Sequence, residues 1–230
     1  MKRVLRNMGC LLCSGFLYAG PPMMTDDPFV PEVNEVEMNL AMELEKGADL
    51  HVVAPIIDLN YGIYPNVQFT VETAYASSDK QYQSDGVEMA IKYHFYRSER
   101  INIALYPKYF FYPIETVFNE GESYEFQIPI SLQLSDSLEW VTSLSYLFPQ
   151  KEENRYEIGM YLAYEKSKHT YYLESYLEEN PKDKNIATFF NVGYFYQYQD
   201  NLGLMASFGI EEVESSKQAD VAYLGLQFIF

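Results

Sequence analysis

The chain has 230 residues and is strongly acidic: 33 Asp and Glu residues outnumber 16 Lys and Arg residues, which gives a formal net charge of −17 at pH 7. This charge argues against nucleic acid as a partner, because phosphates require a basic protein face. The mean hydropathy is −0.23, and the sequence lacks the run of about 18 apolar residues that a membrane-spanning helix needs. The length allows one domain or two small ones.

Residues 1–19 have the pattern of a secretory signal peptide. Three basic residues precede a short apolar segment, and Ala19 fits a cleavage site before a Gly-Pro-Pro sequence. A short buried helix is the alternative. Cys10 and Cys13 are the two cysteines of the chain. Both lie in this segment, so we expect no disulfide and no thiol chemistry in the exported protein. Neither cysteine follows the small-residue pattern that is usual for a lipoprotein anchor.

From residue 36 onward, apolar and polar residues alternate. The stretch VEMNLAMEL, from Val36 to Leu44, has the period of two that is typical of a β-strand, and its length suits a strand that crosses a bilayer. Further segments repeat this pattern, and no amphipathic helix interrupts them. Twelve segments are predicted, near residues 36–44, 53–61, 67–75, 87–96, 101–110, 124–134, 138–148, 156–165, 169–178, 186–198, 202–211 and 220–230.

The connections between these segments alternate in length. Those after the even-numbered segments are short, whereas those after the odd-numbered segments are mostly longer and more polar, as in residues 76–86 and 111–123. An up-and-down outer-membrane barrel has this arrangement, with periplasmic turns and extracellular loops. The sequence therefore predicts an all-β fold: a twelve-stranded antiparallel transmembrane β-barrel of the bacterial (Gram-negative) outer membrane, over residues 36–230. A secreted β-sandwich is the structural alternative.

The two faces of the predicted strands differ in chemistry. The apolar faces carry no Lys, Arg or Glu within a segment, and only Asp220 at a strand end. A charge facing lipid would cost about 2–4 kcal/mol at the centre of the bilayer, so this pattern is expected if the apolar face meets lipid. Aromatic residues near both ends of the segments fit two aromatic girdles. They include Tyr61, Tyr93, Phe95 and Trp140 near the short turns, and Tyr75, Tyr109, Tyr124 and Tyr146 near the longer loops.

The polar face predicts the lining of a pore. Carboxylates in a water-filled barrel would favour cations over anions. The residues that we expect to set selectivity, with two lysines as internal partners, are Glu37, Asp58, Glu72, Glu88, Lys92, Lys108, Glu125 and Glu157. A filled interior is the alternative, because large side chains also point inward by phase. These are Tyr106, Phe110, Tyr161, Tyr172, Tyr176, Phe189, Phe195 and Met205.

The chain ends on its most hydrophobic segment, AYLGLQFIF, in which Phe228 and Phe230 lie in phase. An exposed apolar edge would invite aggregation in a soluble protein. The segment resembles the C-terminal assembly signal of bacterial outer-membrane barrels, in which a last strand ending in Phe engages the insertion machinery. Phe228 and Phe230 are therefore the expected assembly signal.

Residues 21–75 resemble the outer-membrane barrels grouped as the meta-pathway phenol-degradation family, which are described as transporter-like. The matching positions are Pro21, Pro22, Thr25, Asp26, Asp27, Pro28, Glu37, Asn39, Leu40, Asp58, Leu59, Asn60, Tyr61 and Gly62. One departure is Val36, where the family usually has Trp. The resemblance implies an outer-membrane barrel that passes small hydrophobic or aromatic compounds, and it brings no established substrate.

Catalytic and metal motifs are weak in this sequence. His51, His94 and His169 lack the neighbours of the Ser/His/Asn arrangement found in outer-membrane phospholipases, and no nucleophile elbow occurs. No His or Cys spacing matches a metal site. The acidic residues 211–220 could hold Ca²⁺ weakly, although such an acidic segment is usually a solvent-exposed loop. We therefore predict a protein that is not an enzyme, with no catalytic residues, metal or cofactor.

The predicted function is passive passage of small solutes, such as hydrophobic or aromatic compounds or cations. A non-conducting structural or surface-interaction barrel with an occluded lumen is the alternative. The expected partners are outer-membrane lipids and lipopolysaccharide, the barrel-insertion machinery and a small-molecule solute, with no nucleic acid.

The Pro-rich residues 20–35 are predicted to form an extended periplasmic segment that carries the family motif Thr25, Asp26, Asp27 and Pro28. A free or mouth-capping position is favoured over a plug. Two adjacent carboxylates would be repelled by an acidic lumen unless they met Lys92, Lys108 or backbone donors.

Overall fold

The structure is a computed structural model that describes residues 22–47, 50–78, 81–112, 121–150, 154–179, 186–213 and 218–230. Twelve antiparallel strands form one closed barrel, in which each strand pairs with its neighbours in sequence and β1 pairs with β12. The strands are β1 (Val36–Lys46), β2 (Leu50–Tyr64), β3 (Val67–Ser78), β4 (Gln81–Arg97), β5 (Ile101–Phe111), β6 (Ser123–Ser135), β7 (Leu138–Pro149), β8 (Arg155–Lys166), β9 (His169–Glu179), β10 (Ile186–Gln199), β11 (Leu202–Val213) and β12 (Ala219–Ile229). The predicted fold class is confirmed.

The alternation of the sequence becomes the two faces of the barrel wall. On β4, Ile91, Tyr93 and Phe95 are exposed on the outside. Their neighbours Lys92 and His94 are buried inside. Because successive side chains of a strand point to opposite faces, one face can meet lipid while the other encloses the polar interior.

The first and last strands close the barrel. Val36 and Phe230 exchange both backbone hydrogen bonds, with N···O distances of 3.1 and 2.9 Å. The register then continues from the pair Glu37–Ile229 to the pair Lys46–Asp220. Closure leaves no unpaired sheet edge, which explains how the chain can carry such an apolar last strand.

The two ends of the barrel differ in their connections. At the short-turn end, two or three residues join consecutive strands, at 65–66, 98–100, 136–137, 167–168 and 200–201. The opposite end, called the loop end, carries the other connections. One predicted loop is wrong: residues 76–86 belong largely to β3 and β4, which continue their ladder through the pairs Ala76–Gln83 and Ser77–Tyr82. The polar composition of this hairpin concealed strands that lack the apolar–polar alternation of the bilayer-facing segments.

Aromatic contacts occur near both ends of the wall. At the loop end, ring centroids lie 4.9 Å apart for Tyr109 and Tyr124 and 4.6 Å apart for Tyr146 and Tyr156. Near the short-turn end, Tyr93 and Phe95 lie 6.5 Å apart. These positions fit the predicted girdles. In the described part of the chain, no helix is long and apolar enough to cross a membrane.

Candidate functional site: the lumen and the N-terminal strap

Residues 22–35 form a segment that we call the N-terminal strap; residues 22–31 run through the lumen, and residues 32–34 are exposed at the short-turn end. Thr25 and Asp27 are each only 1% exposed. The expectation that this segment hangs free or caps the mouth is therefore wrong for residues 22–31, whereas residues 32–34 do lie at the short-turn mouth. The predicted signal peptide and Pro21 lie outside the described residues, so the signal stays a prediction.

One end of the strap is attached to the wall at β9 and β10. The backbone N–H of Thr25 donates to Glu174 Oε1 at 2.7 Å. Asn191 Nδ2 donates to the carbonyl oxygen of Pro22 at 3.1 Å and to Glu174 Oε2 at 3.0 Å. A buried backbone without a sheet partner needs such acceptors and donors from side chains, because unpaired groups are costly inside a protein.

The opposite wall holds the strap through two lysines. Lys108 Nζ on β5 lies 2.8 Å from Asp26 Oδ2. Lys92 Nζ on β4 lies 3.8 Å from Asp27 Oδ1. The N–H of Phe29 also donates to Asp27 Oδ1, at 2.7 Å. Repulsion by the lumen acids had favoured a free strap. Lys108 compensates for that repulsion at Asp26, whereas Lys92 and the backbone donor of Phe29 reduce it at Asp27.

The strap leaves the lumen at the short-turn end. Asn34 donates its N–H to the carbonyl of Gly62 at 2.8 Å, and Gly62 donates to the carbonyl of Glu35 at 3.0 Å. A Cβ atom at position 62 would meet the backbone carbonyl of Glu32 and come within 2.9 Å of the carbonyl oxygen of Pro31. Glycine is therefore required for this close approach of two backbone segments.

The two strap aspartates have different electrostatic environments. Burial raises the pKa of Asp26, but the ammonium groups of Lys108 and Lys92 more than offset this, and the net pKa is below its ordinary value. Burial dominates for Asp27 and raises its pKa to about 8, although Lys92 and the N–H of Phe29 act in the opposite direction. Adjacent carboxyl groups thus favour opposite protonation states near neutral pH.

The strap fills one side of the lumen. Met23 packs in a buried cluster with Val141, Tyr161, Ala163 and Tyr172, which project from β7, β8 and β9. The rings of Tyr161 and Tyr172 meet edge to face, with centroids 5.7 Å apart. This filled side agrees with the inward-pointing aromatic residues that the sequence placed there.

On the other side of the strap the lumen is open. A cavity of about 320 Å³, called the acidic chamber, lies between the strap and strands β1–β5 and β10–β12. Its described lining carries seven carboxyl groups and two ammonium groups. These belong to Asp26, Asp27, Glu37, Glu43, Asp58, Glu72, Glu88, Lys92 and Lys108.

Two further cavities adjoin the chamber along the lumen. One of about 220 Å³ lies toward the loop end, and it shares Met24, Glu43 and Phe189 with the chamber. The other, of about 390 Å³, lies toward the short-turn end and shares Phe29 and Pro31. The strap therefore separates three spaces that follow one another through the barrel.

The structure brings together most of the predicted pore-lining residues. Six of the eight line the chamber: Glu37, Asp58, Glu72, Glu88, Lys92 and Lys108. Glu125 lies beside them, 3.5 Å from Lys108 Nζ, whereas Glu157 faces inward from β8, outside the chamber lining. Their role in selectivity stays a prediction, as does the role of Phe228 and Phe230 in assembly.

The chamber also contains residues that were not among the eight predicted pore-lining residues. Glu43 has the phase of the predicted polar face, and it faces inward opposite Tyr223 of β12. Asn60 is another, and its Nδ2 donates to Asp58 Oδ2 at 2.9 Å. Asp26 and Asp27 precede the first strand, so no periodicity could place them in the lumen.

The described histidines do not form a common site. His51 lies 3.8 Å from Glu45 at the loop end, whereas His94 faces Phe29 with ring centroids 5.9 Å apart. His169 lies 2.7 Å from the hydroxyl of Tyr194. Among the described residues, no group of three or more His, Cys, Asp or Glu side chains is arranged to hold a metal ion.

Comparisons with known proteins identify the fold. No protein-family model and no curated protein matches the sequence, so the family resemblance stays a prediction. Among solved structures, an outer-membrane channel from Pseudomonas putida F1 is 13% identical with a TM-score of 0.67, covering 89% of this chain and 98% of its own.

Two further structures have the same architecture. The KdgM porin in complex with disordered oligogalacturonate is 14% identical (TM-score 0.62) and covers 84% of this chain and 98% of its own. The CymD monoaromatic hydrocarbon channel is 8% identical (TM-score 0.57) and covers 87% and 89%. At these identities the likeness establishes a common fold, that of outer-membrane porins and channels, and it agrees with the predicted outer-membrane location.

Proposed function

We propose that the protein is a passive channel of the outer membrane for small solutes, narrowed by its own N-terminal strap. The observation that carries this proposal is the series of three cavities along the lumen, with the acidic chamber in the middle. A solid barrel with a purely structural role would have no use for a series of cavities that extends along the lumen. The channel fold of the neighbours and the resemblance of residues 21–75 to transporter-like barrels support the same proposal.

Charge and shape restrict the solutes. The chamber favours cations and neutral compounds over anions, because carboxyl groups outnumber ammonium groups in its lining. The KdgM porin binds oligogalacturonate, which is an acidic sugar chain. We infer that this protein does not select such solutes. The CymD neighbour is a channel for monoaromatic hydrocarbons, and the aromatic residues inside this barrel are compatible with small aromatic compounds.

A bilayer experiment tests the proposal. The purified barrel is inserted into a planar bilayer under a KCl gradient, and conductance and reversal potential are measured. We expect discrete openings with cation preference. Glu72 and Glu88 lie directly opposite each other on β3 and β4, so the double change Glu72→Gln and Glu88→Gln should reduce that preference. Glu99→Gln, in an exposed turn, is the matched control and should not.

The non-conducting barrel remains the second candidate. The observation in its favour is the secure attachment of the strap to both walls, through Glu174 on one side and Lys108 on the other. A barrel that shows heat-modifiable gel migration but no conductance, for ions or in swelling of solute-loaded liposomes, would support this candidate and overturn the channel.

A further inference from the structure

Several buried polar groups of the acidic chamber have no hydrogen-bond partner among the described residues, including Asp27 Oδ2 and Asn191 Oδ1. The two on strands β2 and β12 are Asp58 Oδ1 and the hydroxyl of Tyr223, and both side chains are more than nine-tenths buried. The other carboxylate oxygen of Asp58 accepts from Asn39 and Asn60, each at 2.9 Å, and these bonds fix the orientation of the carboxyl group. An oriented acceptor inside a protein is costly unless a donor reaches it.

The lysines of the chamber are engaged elsewhere. Lys92 and Lys108 lie over the ring of Tyr106, at 4.6 and 4.8 Å from its centroid, and they pair with the strap aspartates. Asp58 and Tyr223 project instead from β2 and β12. No lysine of the described chamber forms an ion pair with Asp58, so this part of the lining presents acceptors that the two lysines do not occupy.

Apolar groups complete the same part of the chamber. Ile56, Phe189 and Val221 line it together with the ring of Tyr223. A bare metal ion would gain nothing from these walls, and the described carboxylates are not arranged as a metal site. An organic cation would use both features, because its N–H groups can donate to the acceptors while its apolar part packs against rings.

We propose that the acidic chamber contains a binding site for a small organic ammonium compound with an apolar or aromatic group. Asp58 Oδ1 accepts from the ammonium group, the Tyr223 hydroxyl accepts a second N–H, and Phe189 packs against the apolar part. The cavity toward the loop end provides the entry, and it is lined by further carboxylates, among them Glu45, Glu178 and Glu211. This inference rests on the proposed function, since it names the solute class for the same lumen.

Benzylammonium chloride is the probe, and isothermal titration calorimetry on the detergent-solubilised full barrel is the measurement. Benzyl alcohol and benzoate have nearly the same shape and differ in charge. We expect saturable binding of benzylammonium, weaker binding of benzyl alcohol and none of benzoate. Asp58→Asn can retain an acceptor for Asn39 and Asn60 but replaces the unpartnered oxygen with an amide. This change should weaken benzylammonium binding by at least about tenfold, because a hydrogen bond to a charged group is lost.

Matched variants make the result specific. Tyr223→Phe should weaken binding by a smaller factor, and Glu165→Gln removes a carboxyl group from β8, outside the chamber lining, and should leave binding unchanged. Heat-modifiable migration of each variant establishes that it is folded. Equal binding of benzylammonium and benzyl alcohol, or an Asp58→Asn variant that binds as the parent does, would overturn the site. Binding of benzylammonium without bilayer conductance would support the binding site and contradict the channel. Conductance without binding would support the channel and contradict the binding site.

Discussion

The two sides of the N-terminal strap differ sharply, although the same strand alternation built both. On the side of β7–β9, Met23 packs against Tyr161 and Tyr172 and leaves the lumen filled. On the other side, Asp26 and Asp27 meet two lysines, and a chamber of about 320 Å³ remains. The strap therefore has an apolar edge and a charged edge.

This difference shows that the interior of the barrel is determined by side-chain size as well as polarity. Tyrosines that face inward from neighbouring strands reach far enough to pack together, as Tyr161 and Tyr172 do. Carboxyl groups on β1–β4 are shorter, repel one another and do not close over the centre. A period-two pattern predicts which side chains face inward, but it does not predict how far each side chain extends into the lumen.

The largest expected effect comes from removing the strap. Deletion of residues 22–33 should merge the three cavities and expose the filled side, so single-channel conductance should rise several-fold. Replacing the same residues with a Gly/Ser segment of equal length should give a similar rise, because the chain would keep its length and lose its attachments at Glu174, Lys92 and Lys108. Unchanged conductance in both variants, with heat-modifiable migration retained, would mean that the constriction lies elsewhere in the lumen.

A smaller effect is expected from Gly62→Ala. The new Cβ would lie 2.7 Å from the carbonyl carbon of Glu32, closer than real Cβ contacts occur, and backbone atoms cannot rotate away as a side chain can. The strap must therefore shift at its exit, and conductance should rise by less than in the deletion.

Gly47→Ala is the control for this change, since among the described residues its Cβ would meet only Ala219 Cβ, at an ordinary 3.8 Å. If both alanine variants behave alike in bilayers, contact at the exit does not hold the strap in place.

The wall of the barrel could be predicted from the sequence because the signal is local. Alternation identified the twelve strands, and phase identified inward residues such as Glu72 and Lys108. The hairpin of β3 and β4 was predicted too short, because beyond Tyr75 its polar residues no longer alternate with apolar ones. Its continuation depends on pairing across the hairpin, which single-strand patterns do not contain.

The strap could not be predicted in the same way, because four prolines in residues 20–31 give it no period. Its position depends on a sum of opposing charges. The pairing of Ala90 with Lys108 sets Lys108 and Lys92 near one level of neighbouring strands, where each can meet one aspartate. The excess of acidic over basic residues predicts that the lumen repels the strap. The structure shows the opposite, because nearby charged partners contribute more to the electrostatic energy than the net charge of the lumen does.

The smallest effect concerns pH and distinguishes the two strap aspartates. Docking raises the pKa of Asp27 from 3.8 to about 8, so the docked strap binds more protons than a released strap between these values. The stabilisation is complete below about pH 4 and is lost as the pH rises through 8. The pKa of Asp26 is lowered, so this residue affects the stability of docking only at acidic pH, where protonation of its carboxylate weakens the pairing with Lys108. The strap should therefore be released more often at pH 9 than at pH 6.

Thiol labelling at Thr25→Cys measures this release. Thr25 is only 1% exposed, so a cysteine of similar volume there is shielded while the strap is docked, and its backbone N–H can keep the hydrogen bond to Glu174. Maleimide labelling should accelerate between pH 6 and pH 9 by at least about tenfold more than in the same variant carrying Asp27→Asn, which corresponds to one pKa unit. The Asn variant corrects for ionisation of the thiol itself. An equal acceleration in both variants would show that Asp27 does not control docking. The ion pair between Asp26 and Lys108 would then be the contact that holds the charged edge of the strap.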